Sequence, residues 1–187
     1  MDAFSYLSVL ISIILGLAIT QVLKGFRGLM QARSRLRMYW PAVVWSILVL
    51  VIAVQSWWAM FGFRHRLDWT FFAFSIVLAQ TITLYLMAAL VLPDFFGETP
   101  IDLRDYYYAN HRWFFALLVV LILISLSKNL ILTPDLLDKR DLGFHIAFGS
   151  GAMVGALSRN DHVNAWLAVL SAIGIGAYIA VLFTHLT

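Results

Sequence analysis

The chain has 187 residues, of which 62% are hydrophobic and only 12% are charged, against about 25% charged residues in an ordinary soluble domain. It carries no cysteine and a formal net charge of +3. A soluble fold of this size cannot hide so much apolar surface, and the same figures exclude a disordered chain, a collagen-like repeat and a disulfide scaffold. The expected fold is all-α: a polytopic transmembrane helical bundle forming a single domain over residues 1–187. It has six spans, or five and a short re-entrant segment.

The spans are expected near residues 4–23, 40–61, 70–92, 113–132, 143–158 and 164–185, and of all Lys, Arg, Asp and Glu residues only Lys128 falls inside them. The first follows Met1-Asp2 with no basic leader and no small-residue cleavage site, so it reads as a retained helix. Along it Ser5, Ser8, Ser12, Gly16 and Thr20 recur at helical spacing. Lipid supplies no hydrophobic drive between helices, so a stripe of small residues predicts close backbone packing. Gln21 ends this span, and Lys24, Arg27, Arg33, Arg35 and Arg37 follow without an acid. That loop is expected on the cytoplasmic side, beside anionic lipid, with the N-terminus outside (periplasmic).

The second span has Pro41 in its first turn, where the missing N–H costs nothing, and carries Gln55 and Ser56. Near the middle of the third lie Gln80, Thr81 and Thr83, and Pro93 closes it. Polar groups at this depth need a partner or water. They either hydrogen-bond between helices, at about 0.6 kcal/mol each, or line a polar track for an ion or small solute. Thr99-Pro100-Ile101-Asp102 predicts a helix start with Thr99 as cap. The helix from Pro100 to Asn110 should lie at the headgroup level and lead into the fourth span. That span is bulky over residues 114–124 and is expected to face lipid, with Lys128 snorkelling beside Asn129 near its outer end. With no Asp or Glu inside any span, a proton-coupled carrier built on an intramembrane carboxylate is disfavoured.

Thr133-Pro134-Asp135 makes another helix start, before a fifth span that reaches only about 24 Å at 1.5 Å per residue. Gly151 and Gly155 on it, and Ala168, Ala172, Gly176, Ala180 and Thr184 on the sixth, again mark packing. The first, fifth and sixth spans are therefore expected to lie together inside. Six of the seven Trp residues sit within a turn or so of a span boundary, as interfacial belts require, and Trp45 lies deeper.

Candidate chemistry is sparse. His65, His145 and His185 share the expected outer face and are the candidate metal ligands, but no HxxxH spacing or cysteine supports them. No cofactor is expected. Templates for a nucleophile elbow, paired acids or a P-loop are missing, and Gly149-Ser150-Gly151 lacks a strand-to-helix context, so no residue is assigned as catalytic. No basic face of a soluble module exists to bind nucleic acid.

The run 7–20 (LSVLISIILGLAIT), Tyr39-Trp40-Pro41, and Asp105-Tyr106-Tyr107-Tyr108 followed by Trp113-Phe114-Phe115 resemble a group of small bacterial inner-membrane proteins that have no assigned activity. The resemblance covers most of the chain. It implies a bacterial inner-membrane location and transfers no site. Two functions are expected from the whole sequence. One is a small oligomeric channel or transporter-like protein, assembling as a homo-oligomer. The other is a non-transporting scaffold or accessory subunit, whose protein partner meets the basic first loop or the helix from Asp102 to Arg112. Convergence of the polar side chains of the first three spans on a hydrated cavity separates the two; a dry interior favours the scaffold.

Overall fold

The computed structural model describes residues 3–64, 68–94, 100–132 and 139–182. In chain order these form α1 (Ala3–Gln31), β1 (Leu36–Arg37), α2 (Trp40–Ala59), α3 (Phe71–Val91), β2 (Ile101–Asp102), α4 (Leu103–Leu132), α5 (Lys139–Leu157) and α6 (Asp161–Leu182). Five helices, all but α5, are long and apolar enough to cross a membrane.

Local chemistry sets the helix ends. α1 continues two turns past Leu23, the expected exit, because Val22, Gly25, Gly28 and Leu29 keep one face buried. A Cβ on Gly25 would lie 2.6 Å from the Leu92 side chain, so glycine lets α1 lie flush on the end of α3. Pro41 sits in the first turn of α2. Thr70 caps α3, its hydroxyl accepting the Ala73 N–H at 3.1 Å. Thr99, the expected cap of α4, and the Thr133–Asp135 start lie outside the described residues. The observed cap of α4 is Asp102, whose Oδ1 accepts the N–H groups of Arg104 at 2.9 Å and Asp105 at 3.3 Å. Ile101 cannot open the helix because β2 pairs in parallel with β1, with Leu36 opposite Ile101 and Arg37 opposite Asp102. From Leu103 the helix runs unbroken from its charged, tyrosine-rich first turns into the apolar segment, as expected.

Packing departs from expectation. α3 lies between α1 and α4; α5 covers another side of α4; α6 packs on α5 and α2; and α1 rests on α2 and α3 rather than on α5 or α6. The fourth helix therefore buries one face between α3 and α5, while Val120, Leu123, Leu130 and Ile131 on its other side stay exposed. Its Phe114, Phe115, Leu118 and Leu121 are buried. Trp45 meets Phe114 and Phe115 edge-on, with ring centroids 5.4 and 5.2 Å apart. Gly155 of α5 makes room for the same ring: a Cβ there would come within 2.5 Å of Phe115.

The α1 stripe turns outward. Gly16 and Thr20 are exposed, Ser5, Ser8 and Ser12 are half-buried, and the buried face is Ile11, Leu15, Ala18 and Val22. Ser8 and Thr20 satisfy their hydroxyls on their own helix, on the carbonyls of Ser5 and Gly16. On α6, Ala168 is buried and Ala172 half-buried, while Gly176 and Ala180 are exposed. Nothing stands within 4 Å of where a side chain on Gly16 or Gly176 would begin. Gly151 makes ordinary contact with Leu167 at 3.7 Å. Trp40, Trp57, Trp58, Trp113 and Trp166 are exposed, Trp69 is half-buried and Trp45 is buried.

α4 and α5 run antiparallel in one register, with Asn129 beside Asp141, Ser125 beside His145 and Phe115 beside Gly155. α5 and α6 are joined by Ser158, Arg159 and Asn160 alone, so α6 turns straight back along α5. It reaches Asp141 again through Tyr178.

Candidate functional site

A cavity of about 100 Å³ lies among α2, α3, α4, α5 and α6. Its walls are mostly apolar, with Trp45, Leu118, Leu121, Phe144, Phe148 and Ile175 among them. The polar lining is Gln55 and Ser56 from α2, Gln80 from α3, Ser125 from α4, His145 from α5, and Ser171 and Tyr178 from α6.

His145 is the junction of the polar groups. Its Nδ1 is 2.8 Å from the Asp141 carbonyl oxygen and 3.4 Å from Asp141 Oδ1, and its Nε2 is 3.0 Å from Ser125 Oγ. Two oxygens facing Nδ1 place a proton on that nitrogen, and in the neutral ring Nε2 then accepts the Ser125 hydroxyl hydrogen. The Asp141 carboxylate is itself held from two helices: Asn129 Nδ2 donates to Oδ2 at 2.6 Å and the Tyr178 hydroxyl to Oδ1 at 3.1 Å. Also lining this cavity, Gln80 is 8% exposed and Ser56 Oγ is buried without a partner among the described residues. Neither Gln80 nor Gln55 hydrogen-bonds to another described residue, though both line the cavity. Buried polar groups left unpaired cost about 1–3 kcal/mol each, so these are groups that a bound molecule or water would satisfy.

The sequence-derived candidates divide. Gln55, Gln80 and Asn129 join the site. Thr81 bonds to the Leu78 carbonyl on its own helix and lines a narrow space of about 10 Å³ with Ser56, Gln80 and Lys128. Lys128 thus turns toward α2 and α3 instead of snorkelling to the rim, and Asp141 is the acid within its electrostatic reach. Thr83 bonds to the Ala79 carbonyl and takes no part. Gln21 lies elsewhere, in a cleft of about 300 Å³ with Lys24, Arg27, Gln31 and Asp94. Of the candidate metal ligands, His145 is engaged as described, and His65 and His185 lie outside the described residues. Among the described residues no three His, Cys, Asp or Glu side chains gather.

Asp141, Ser125 and Tyr178 were not expected here. Asp141 precedes the expected fifth span and sits in the first turn of α5 with its side chain 15% exposed. It does not line the cavity itself but holds His145, which does. The available signal was the i, i+4 spacing of Asp141 and His145, which places both on one helix face.

A second polar cluster ties together the opposite ends of the helices. Arg104 donates to both oxygens of Asp161, from Nε at 3.2 and 3.0 Å and from Nη2 at 2.8 Å. Asp161 Oδ1 also accepts the hydroxyls of Tyr108 at 2.6 Å and Tyr39 at 3.2 Å. Burial, then the neighbouring Tyr108 and Asp161, push the Tyr39 phenol well above the usual tyrosine range, so it stays a donor. Asn164 is fully buried; it accepts the Tyr107 hydroxyl at 2.8 Å and donates to the carbonyls of Ser158 and Asn160. Between this cluster and the cavity lies the Trp45–Phe114–Phe115 layer.

Fold and site together describe an all-α bundle of membrane-protein character, with a polar-lined cavity in one half. Comparisons with protein-family models, curated proteins and solved structures return no match.

Proposed function

We propose that the chain is a small transporter-like protein of a bacterial inner membrane, crossing it six times and working as a homo-oligomer. The observation that supports this most is the cavity itself: α2, α3, α4, α5 and α6 turn polar side chains into one space of about 100 Å³. Such a space is a binding site rather than an open pore, because the Trp45–Phe114–Phe115 layer and the Asp161 cluster fill the bundle on one side of it. α1 supplies none of the lining. Its outward stripe of Ser5, Ser8, Ser12, Gly16 and Thr20 is suited to a second copy of the chain, as are Gly176 and Ala180.

A scaffold acting through the helix from Asp102 to Arg112 has less to recommend it. Asp102, Arg104, Tyr107 and Tyr108 bond to other residues of the chain, and His111 Nδ1 lies 2.8 Å from the Tyr108 carbonyl oxygen. The test is flux through proteoliposomes of purified protein. Small uncharged solutes should equilibrate several-fold faster than across protein-free vesicles, and Gln80→Leu should slow them. Wild-type vesicles no leakier than controls to any ion or solute would overturn the proposal.

A further inference from the structure

Three properties of the cavity select a class of ligand. Its volume, about 100 Å³, is below the roughly 150 Å³ of an engineered apolar cavity that binds benzene, so it holds at most one six-membered ring, with further substituents reaching out through the pocket's open side. Trp45, Phe144 and Phe148 offer ring faces and edges on its walls. The polar groups approach from two groups of helices: Ser56 and Gln80 from α2 and α3, and the Ser125–His145 pair from α4 and α5.

The hydrogen-bond inventory then fixes polarity. In the neutral ring, with Nδ1 of His145 committed to Asp141, the Ser125 proton goes to Nε2, and Ser125 Oγ then accepts from a ligand. The Gln80 amide, 8% exposed and unpartnered, can donate or accept. A ring hydroxyl that donates to Ser125, with a second ring oxygen at Gln80, would satisfy both sides. We infer that this cavity binds a hydroxylated single ring, a phenol or the hydroquinone head of a membrane lipid. This names a ligand class for the transporter-like reading and rests on it.

Trp45 on the cavity wall provides the readout. Purified full-length protein in detergent is titrated with un-ionised p-nitrophenol, which accepts excitation energy from tryptophan, and with nitrobenzene, a ring of similar shape without the hydroxyl. Saturable quenching by p-nitrophenol, about tenfold tighter than by nitrobenzene, is the expected result for one well-made hydrogen bond. Ser125→Ala should abolish that preference and Gln80→Leu should weaken it, while Ser127→Ala, which alters an exposed hydroxyl on the same helix, should leave it intact. Trp45→Phe should remove most of the saturable signal. Melting curves identify any variant that has unfolded, and the wild-type comparison of the two rings stands without variants. Equal affinity for both rings, or quenching that never saturates, would overturn the inference. In nanodiscs, displacement of p-nitrophenol by a prenylated hydroquinone identifies the bilayer as the source; displacement only by unsubstituted rings identifies soluble phenols. Binding in detergent requires no transport, so failure here and failure of the flux experiment are separate outcomes.

Discussion

Asn164 shows how much one buried polar side chain can organise in this bundle. It is completely enclosed at the start of α6, and its amide joins three elements by accepting from Tyr107 and donating to the carbonyls of Ser158 and Asn160. Replacing it with Leu keeps the approximate volume but strands the Tyr107 hydroxyl and the Ser158 carbonyl, while the Asn160 carbonyl keeps the backbone N–H of residue 164. Asn164→Leu should therefore lower stability by about 1–3 kcal/mol, seen as an earlier thermal transition in detergent. Ring binding in the cavity should be unaffected, because the aromatic layer separates the two places. A melting curve that overlays the wild type would show that water reaches this end of the bundle. The neighbouring Arg104–Asp161 pair is half-exposed, and its contribution should fade in high salt while that of Asn164 persists.

At the scale of elements, the existence of the helices was legible, because charges driven to the rims outline each apolar run. Their partners were not. A small-residue stripe announces close approach without saying to what, and on α1 and α6 its exposed part faces away from the chain's own core. Conversely, the bulky run of α4 resembled a lipid-facing surface, yet Phe115 lies in the gap left by Gly155 forty residues later in the chain. The site was half legible for a related reason. Gln55 and Gln80 stand out as polar residues in apolar runs, whereas Asp141 lies among Lys139 and Arg140 and has the composition of a loop. Paired substitutions test the packing. Gly155→Leu must displace Phe115 and should cost about 1–3 kcal/mol. Gly16→Leu meets nothing within the chain and should leave the melting of the isolated monomer within about 0.5 kcal/mol of wild type. Equal effects of the two in detergent-solubilised monomer would contradict the packing described.

For the whole molecule, the issue is whether α5 completes a crossing. Its first turn carries Lys139, Arg140 and Asp141, leaving an apolar run over residues 142–157 that is about 24 Å long by helical rise, short of a hydrocarbon core of about 30 Å. Its neighbours argue for passage all the same. α5 keeps register with α4 from Asn129 down to Phe115, and α6 starts at Asp161, beside Arg104 and Tyr108 at the other end of α4. α6 then climbs back to place Tyr178 on Asp141. A hairpin that turned round at mid-depth would have to expose Ser158, Arg159 and Asn160 to hydrocarbon; a short span needs only local thinning and snorkelling by Lys139 and Arg140, at fractions of a kcal/mol per Å. The six crossings proposed above put both termini on one side, and the positive-inside rule applied to the basic segment from Lys24 to Arg37 predicts the outer one. Alkaline phosphatase fused after the C-terminus should then be active in cells, and the same reporter joined after Arg33 or Arg159 should be inactive. Activity at Arg159 together with silence at the C-terminus would place the α5–α6 turn outside and refute six crossings in this orientation.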